Sequence, residues 1–157
     1  LTDTLRAAEE IARGAGAILR EGARLADFSV DFKSSAIDPV TEYDRRSEAY
    51  IVSELRARFP HDSIVGEEGG TYARQHANDS GRRWHIDPLD GTVNFSHGLP
   101  QFSVSIGMED AQGLAIGVVY NPMVDELFAA ARGQGANGAG DGDRTRDVQL
   151  GKLTFYH

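Results

Sequence analysis

A chain of 157 residues with 40% hydrophobic and 25% charged side chains is long enough to bury a core and too apolar for disorder. Its net charge of −8 excludes the broad basic footprint of a nucleic-acid or anionic-membrane binder, and the absence of cysteine excludes disulfides, thiolate metal sites and cysteine nucleophiles. No apolar run approaches the ~20 residues that span a bilayer and no signal-peptide pattern opens the chain, the pattern of a soluble cytoplasmic protein. The start at Leu1 rather than Met reads as a renumbered or trimmed chain.

Leu5, Ala8, Ala12, Ala15, Ile18 and Leu19 recur at three- and four-residue steps, which predicts an amphipathic helix over the first twenty residues. Gly14 and Gly16 are expected to weaken it by up to ~1 kcal/mol each relative to alanine. Phe28, Val30 and Phe32 alternate with polar residues as on a half-buried strand. A second helix is expected from about Tyr43 to Arg58, with Ile51, Val52, Leu55 and Phe59 on one stripe and Pro60 as its stop. Then the pattern changes. Ser63–Gly66 reads as a short strand, residues 71–82 as a polar surface excursion, and Arg83–Ile86 as a strand broken by Asp87-Pro88-Leu89-Asp90-Gly91. Phe102, Val104, Ile106 and Met108 give the clearest alternation, and Leu114–Tyr120 and Glu126–Arg132 follow as strands joined through Asn121-Pro122. Helices followed by consecutive strands predict an α+β fold with a largely antiparallel sheet. Residues 1–138 read as one domain. Residues 139–157 read as an atypical tail, after a glycine-rich stretch with no large apolar side chain, and suggest a chain that stops short.

Three clusters carry chemistry. Asp87 and Asp90 stand three apart at a strand end, with Pro88 fixing φ between them and Gly91 permitting a conformation that a side chain would block. Such a turn can aim both carboxylates one way, and oxygen ligands of this kind suit Mg²⁺; the same residue types also make ordinary turns. Glu67 and Glu68 follow another short strand and would be mere solvated acids but for the coincidence that two strand ends each deliver carboxylates. Asp38-Pro39-Val40-Thr41-Glu42-Tyr43-Asp44 opens the second helix, where Thr41 and Asp44 fit a capping box. A functional reading instead makes Asp44, with a hydroxyl such as Thr92, the group that orients an attacking water. Lys33 is an exposed lysine by default. Gly91-Thr92-Val93-Asn94-Phe95 could open a helix whose free N–H groups seat a phosphate.

Together, the segments Asp38–Asp44, Gly66-Glu67-Glu68 and Trp84-His85-Ile86-Asp87-Pro88-Leu89-Asp90-Gly91-Thr92-Val93-Asn94-Phe95 resemble the inositol monophosphatase family in order and approximate spacing. The likeness extends through Lys33-Ser34-Ser35, Ser103–Met108 and Gly117-Val118-Val119-Tyr120, over about residues 5–138. It implies Mg²⁺-dependent, lithium-sensitive phosphatases of a layered αβαβα fold, commonly homodimers, acting on a small phosphorylated substrate, with no nucleic-acid or membrane partner. At matching positions it implies that Glu67 and Asp87, with the Leu89 carbonyl, bind one magnesium and Asp87 with Asp90 a second. A third, looser ion would face Glu67, with Glu68 nearby. Asp44 and Thr92 would activate the water, Gly91 and Thr92 N–H groups would hold the phosphate, and Lys33 would support the site.

The resemblance stops short of the family's second half, whose Trp-Asp motif completes the second metal site. Asp125, Asp141, Asp143 and Asp147 lack that context, so the expectation is a fragment or a truncated, inactive chain. Asn94-Phe95 favours the inositol phosphatase and archaeal-type fructose bisphosphatase branches over the nucleotide and histidinol-phosphate branches. The competing reading is a non-catalytic binding or dimerisation protein that keeps the metal loops as a relic.

Overall fold

In the computed structural model, residues 1–25, 39–66, 71–72 and 80–138 are described. Helix α1 spans Thr2–Leu25 and buries Leu5, Ala8, Ala12, Ala15 and Leu19 of the expected stripe, together with Ile11, which the spacing did not pick out, while Ile18 is only partly buried. Full burial of Ile11 and Leu19 contributes roughly 1.5–3 kcal/mol each. The helix runs five residues past the expected end. Its glycines are points of close approach: a Cβ on Gly16 would lie 2.5 Å from the Tyr120 ring, and one on Gly22 2.5 Å from Cγ of Tyr43. Gly14 likewise receives Tyr50.

Helix α2 spans Pro39–Arg58 and starts earlier than expected, because proline has no N–H to leave unpaired in a first turn. Thr41 therefore lies inside the helix rather than at its first position. Ile51, Val52 and Leu55 are buried as expected, and Phe59 packs on Trp84 just after the helix stops before Pro60.

The strands are β1 (Ser63–Val65), β2 (Thr71–Tyr72), β3 (Arg83–Asp90), β4 (Ser103–Asp110), β5 (Gly113–Asn121), β6 (Glu126–Ala131) and β7 (Gly135–Gly138), with a short helix α3 (Thr92–Ser96) between β3 and β4. They form one seven-stranded sheet in the order β2-β1-β3-β4-β5-β6-β7. Only β1 and β3 pair in parallel among these neighbours. The α+β architecture is the expected one. Strands β2 and β7 were not anticipated, since a two-residue strand and a glycine-rich edge pair through backbone groups and carry no apolar alternation. The strand expected at Phe28–Phe32 and the tail 139–157 lie outside the described residues, as do Lys33, Glu67 and Glu68.

Helix α1 packs on β4, β5 and β6, and α2 on β3. Two cross-strand rows build the core beneath them, Trp84–Met108–Ile116–Ala131 and Ile86–Ile106–Val118–Ala129. Two polar anchors fix the frame. The Asp62 carboxylate, nearly out of solvent, accepts hydrogen bonds from Trp84 Nε1 (2.9 Å), Ser80 Oγ (2.7 Å) and Arg82 Nε (3.1 Å), so its charge is paired where it is buried. At the far side Asp125, with φ of 53°, accepts from the Tyr120 hydroxyl (2.9 Å) and Arg13 (2.7 Å), tying the β5–β6 turn to α1. The Tyr120 hydrogen bond and the Arg13 guanidinium hold the Asp125 carboxyl below its ordinary range, while burial pushes the Tyr120 phenol up.

Candidate metal and phosphate site

Strand β3 is not broken at Asp87; it continues to Asp90 through a bulge. Asp87 pairs with Ser105 and Asp90 with Ser103, so three steps on β3 oppose two on β4. Pro88, which has no N–H to give the ladder, sits within the irregularity. Leu89 fills the core below it, 1% exposed, and fixes the bulge from inside. The carboxylates on either side remain accessible, Asp87 partly and Asp90 more fully.

Local hydrogen bonds shape this loop. The Leu89 N–H donates to Asp87 Oδ1 (3.1 Å), and the Thr92 hydroxyl donates to the Leu89 carbonyl (3.1 Å). A carbonyl oxygen has two lone pairs, so that acceptor keeps room for a second partner. Ser103 Oγ donates to Asp90 Oδ2 at 3.4 Å. Gly91 has φ of 88°, and a Cβ there would lie 3.0 Å from the Gln101 carbonyl oxygen; both facts require glycine. Gly91 stands at the N-cap of α3 and no side chain caps that end, so the first-turn N–H groups have no capping partner from Gly91. Phe95, buried, anchors α3 against Phe102 (5.0 Å between ring centroids) and Tyr43 of α2 (6.3 Å). Asn94 Nδ2 closes the turn by donating to the Gln101 carbonyl at 2.7 Å.

Thus Asp87, Leu89, Asp90, Gly91 and Thr92 come together in one bulged turn. Asp44 lies on α2, partly buried, between Tyr43, which packs on Phe95, and Ser47, which donates to the Pro88 carbonyl at 3.0 Å. Ser47 is one helical turn on from Asp44, so both belong to the face of α2 nearest the bulge. For Glu67 the described residues settle only the approach: Val65 pairs in parallel with His85, two residues before Asp87, so β1 and β3 run to the same end of the sheet. Among the described residues no three acidic or histidine side chains gather into a complete metal site. The donor set present, two carboxylates and a carbonyl, is all oxygen, which fits a hard cation that keeps much of its water. Ser47 and Ser103 were not singled out from sequence. The available signal for Ser47 was its place three residues after Asp44.

Two long helices on one face of a mixed sheet, with an acidic bulge leading into a glycine-started turn, make up the α+β half-fold that the motifs suggested. The chain belongs to the inositol monophosphatase family, whose model matches residues 1–153. It is 42% identical to inositol monophosphatase 3 of Solanum lycopersicum over 84% of this chain and 48% of that protein. It is 38% identical to a histidinol-phosphatase of Chlorobaculum parvum over 87% of this chain and 51% of that one. The extragenic suppressor protein suhB of Bartonella henselae superposes with a TM-score of 0.74 at 35% identity, covering 87% of this chain and 51% of that structure. The chain therefore spans about half the length of the relatives it matches, and corresponds to their N-terminal part.

Proposed function

We propose that the chain carries the metal- and phosphate-binding part of a Mg²⁺-dependent phosphomonoesterase that releases inorganic phosphate from a small phosphate monoester, inositol monophosphate foremost. The observation that carries this reading is the β3 bulge, which collects Asp87, the Leu89 carbonyl, Asp90, Gly91 and Thr92 within six residues. There Glu67, Asp87 and Asp90 with the Leu89 carbonyl would hold two to three Mg²⁺ ions, with Glu68 nearby. Bound magnesium supplies neutralisation of phosphate charge and a more acidic water. Asp44 and the Thr92 hydroxyl would orient an attacking water in line with the scissile bond, and the N–H groups of Gly91 and Thr92 would hold phosphate oxygens. Lys33 supports the loop. The protein works in the cytoplasm as a homodimer, with residues 1–138 as the metal-binding unit. No described helix is long and apolar enough to cross a membrane.

A second reading, histidinol phosphate as substrate, is favoured by the Chlorobaculum parvum relative, whose identity is close to that of the inositol monophosphatase. A phosphate-release assay separates the two. Inositol monophosphate, fructose bisphosphate, histidinol phosphate and 3′-phosphoadenosine phosphate are offered with Mg²⁺, with and without Li⁺. Both this chain and a chimera completed by the C-terminal half of a relative are assayed. Mg²⁺-dependent, Li⁺-inhibited release from inositol monophosphate by the chimera is the expected result; release that needs no divalent cation would sink the assignment.

A further inference from the structure

We infer that Ser47 is a positioning residue: its buried hydroxyl latches helix α2 to the acidic bulge and so sets the separation of Asp44 from Asp87 and Asp90. The inference rests on the Mg²⁺ reading of that bulge. Ser47 is fully buried, and its Oγ donates to the Pro88 carbonyl at 3.0 Å, 41 residues away. A helical serine often returns its hydroxyl to the carbonyl one turn back. Here it is spent on a loop in another element.

The reason lies in the bulge. Between Asp87 and Asp90 the β3–β4 register slips, so the carbonyl of Pro88 sits where regular pairing is lost. A buried carbonyl without a donor costs about 1–3 kcal/mol. Ser47 supplies the donor from the side of α2. The bond also fixes which way the Pro88–Leu89 peptide faces. That peptide continues into the Leu89 carbonyl and Asp90, and its Leu89 N–H already orients Asp87. One residue therefore couples the orientation of the ligand loop to the helix that bears Asp44.

The test uses Mn²⁺ as probe, since it accepts the same oxygen ligands and its free fraction is read directly by electron paramagnetic resonance. Ser47→Ala is expected to weaken Mn²⁺ binding about tenfold, as loss of a supporting hydrogen bond around metal ligands does. Ser47→Thr should recover most of it, and Ser53→Ala, on the exposed face of the same helix, should change nothing. If Ser47→Ala does not fold, Ser47→Cys replaces it, keeping the volume but offering only a weak S–H donor; serine and threonine must then bind more tightly than cysteine. A bond that served packing alone would lower the melting temperature and leave Mn²⁺ affinity at the wild-type value, and that result overturns the inference while the metal reading stands. Wild-type protein that binds no Mn²⁺ at the bulge, with Asp90→Asn indistinguishable from it, overturns both.

Discussion

Asp90 is exposed at the end of β3, and its one described partner is a 3.4 Å hydrogen bond from Ser103. An accessible carboxylate held so loosely contributes little to folding, and near Asp87 it adds like-charge repulsion. Gly91 beside it is the opposite case, since its positive φ and the nearby Gln101 carbonyl leave no room for a side chain. Gly91 thus shapes the turn, as do Asp87 and Thr92 through their bonds to Leu89, whereas Asp90 adds a carboxylate held only loosely. Asp90→Asn should therefore leave the melting temperature level or slightly raised, within about 0.5 kcal/mol of stability. In a chimera completed to full length the same change should lower Mg²⁺-dependent turnover by about a hundredfold or more, as loss of a charged ligand. Unchanged turnover at saturating Mg²⁺ would contradict the ligand assignment.

Helix propensity alone says that alanine in place of a helical glycine should stabilise α1 by up to ~1 kcal/mol. The packing reverses that sign at Gly22, because a Cβ would meet the first ring atom of Tyr43, which cannot swing aside without moving α2. Gly22→Ala should cost about 1–3 kcal/mol in chemical denaturation. Tyr43 also packs on Phe95, so the shift should reach α3 and the phosphate turn. The glycine contacts of α1 show what the sequence concealed: a close approach needs a partner that is distant in the chain. The stripe on α1, the strand at Val104–Met108 and the Asp87–Thr92 turn were legible because period and turn chemistry are local. The bulge was read as a break because its pairing partners lie on β4, and β7 was hidden because backbone pairing leaves no side-chain pattern.

Two further ties between elements respond to acid. Asp110 accepts hydrogen bonds from Arg132 (2.6 Å) and the Gln112 N–H (2.8 Å), which hold its carboxyl below the ordinary range, as Tyr120 and Arg13 do for Asp125. A folded-state value depressed below the unfolded one gives stability that is present above about pH 4 and lost as pH falls through the folded values. These two carboxylates should accordingly contribute a modest fall in the wild-type melting temperature below about pH 4 as they take up protons, modest because both ties face solvent. The double variant Asp110→Asn, Asp125→Asn should melt lower at neutral pH and show a shallower acid limb. Parallel acid limbs for the two proteins would show that these ties carry none of the dependence.

Counting what the described residues offer sets the expectation for the molecule as it stands. The bulge provides Asp87, Asp90 and one carbonyl, and no third acidic or histidine side chain joins them among the described residues. Mg²⁺ tolerates a site of few protein ligands, but each absent carboxylate removes attraction that offsets partial dehydration of the ion. The region matched here spans about half the length of the relatives, and a substrate is oriented by the whole surface around it. Orientation is worth several kcal/mol in rate, on the order of a thousandfold or more. The sheet adds a second consequence. Its two long helices lie on the face that carries Leu127 and Ala129, while Phe128 between them points the other way and is 41% exposed, in the row Ser105–Val119–Phe128. Among the described residues, Phe128 and the partly exposed Val119 put apolar surface on that face, and such surface favours association. The 157 residues alone should therefore bind Mg²⁺ weakly, turn over phosphate monoesters at least about a hundredfold more slowly than the completed chimera, and elute above the monomer mass of 17.0 kDa in light-scattering chromatography. A monodisperse monomer with turnover equal to the chimera's would refute this, and would place everything the chemistry needs within these strands and helices.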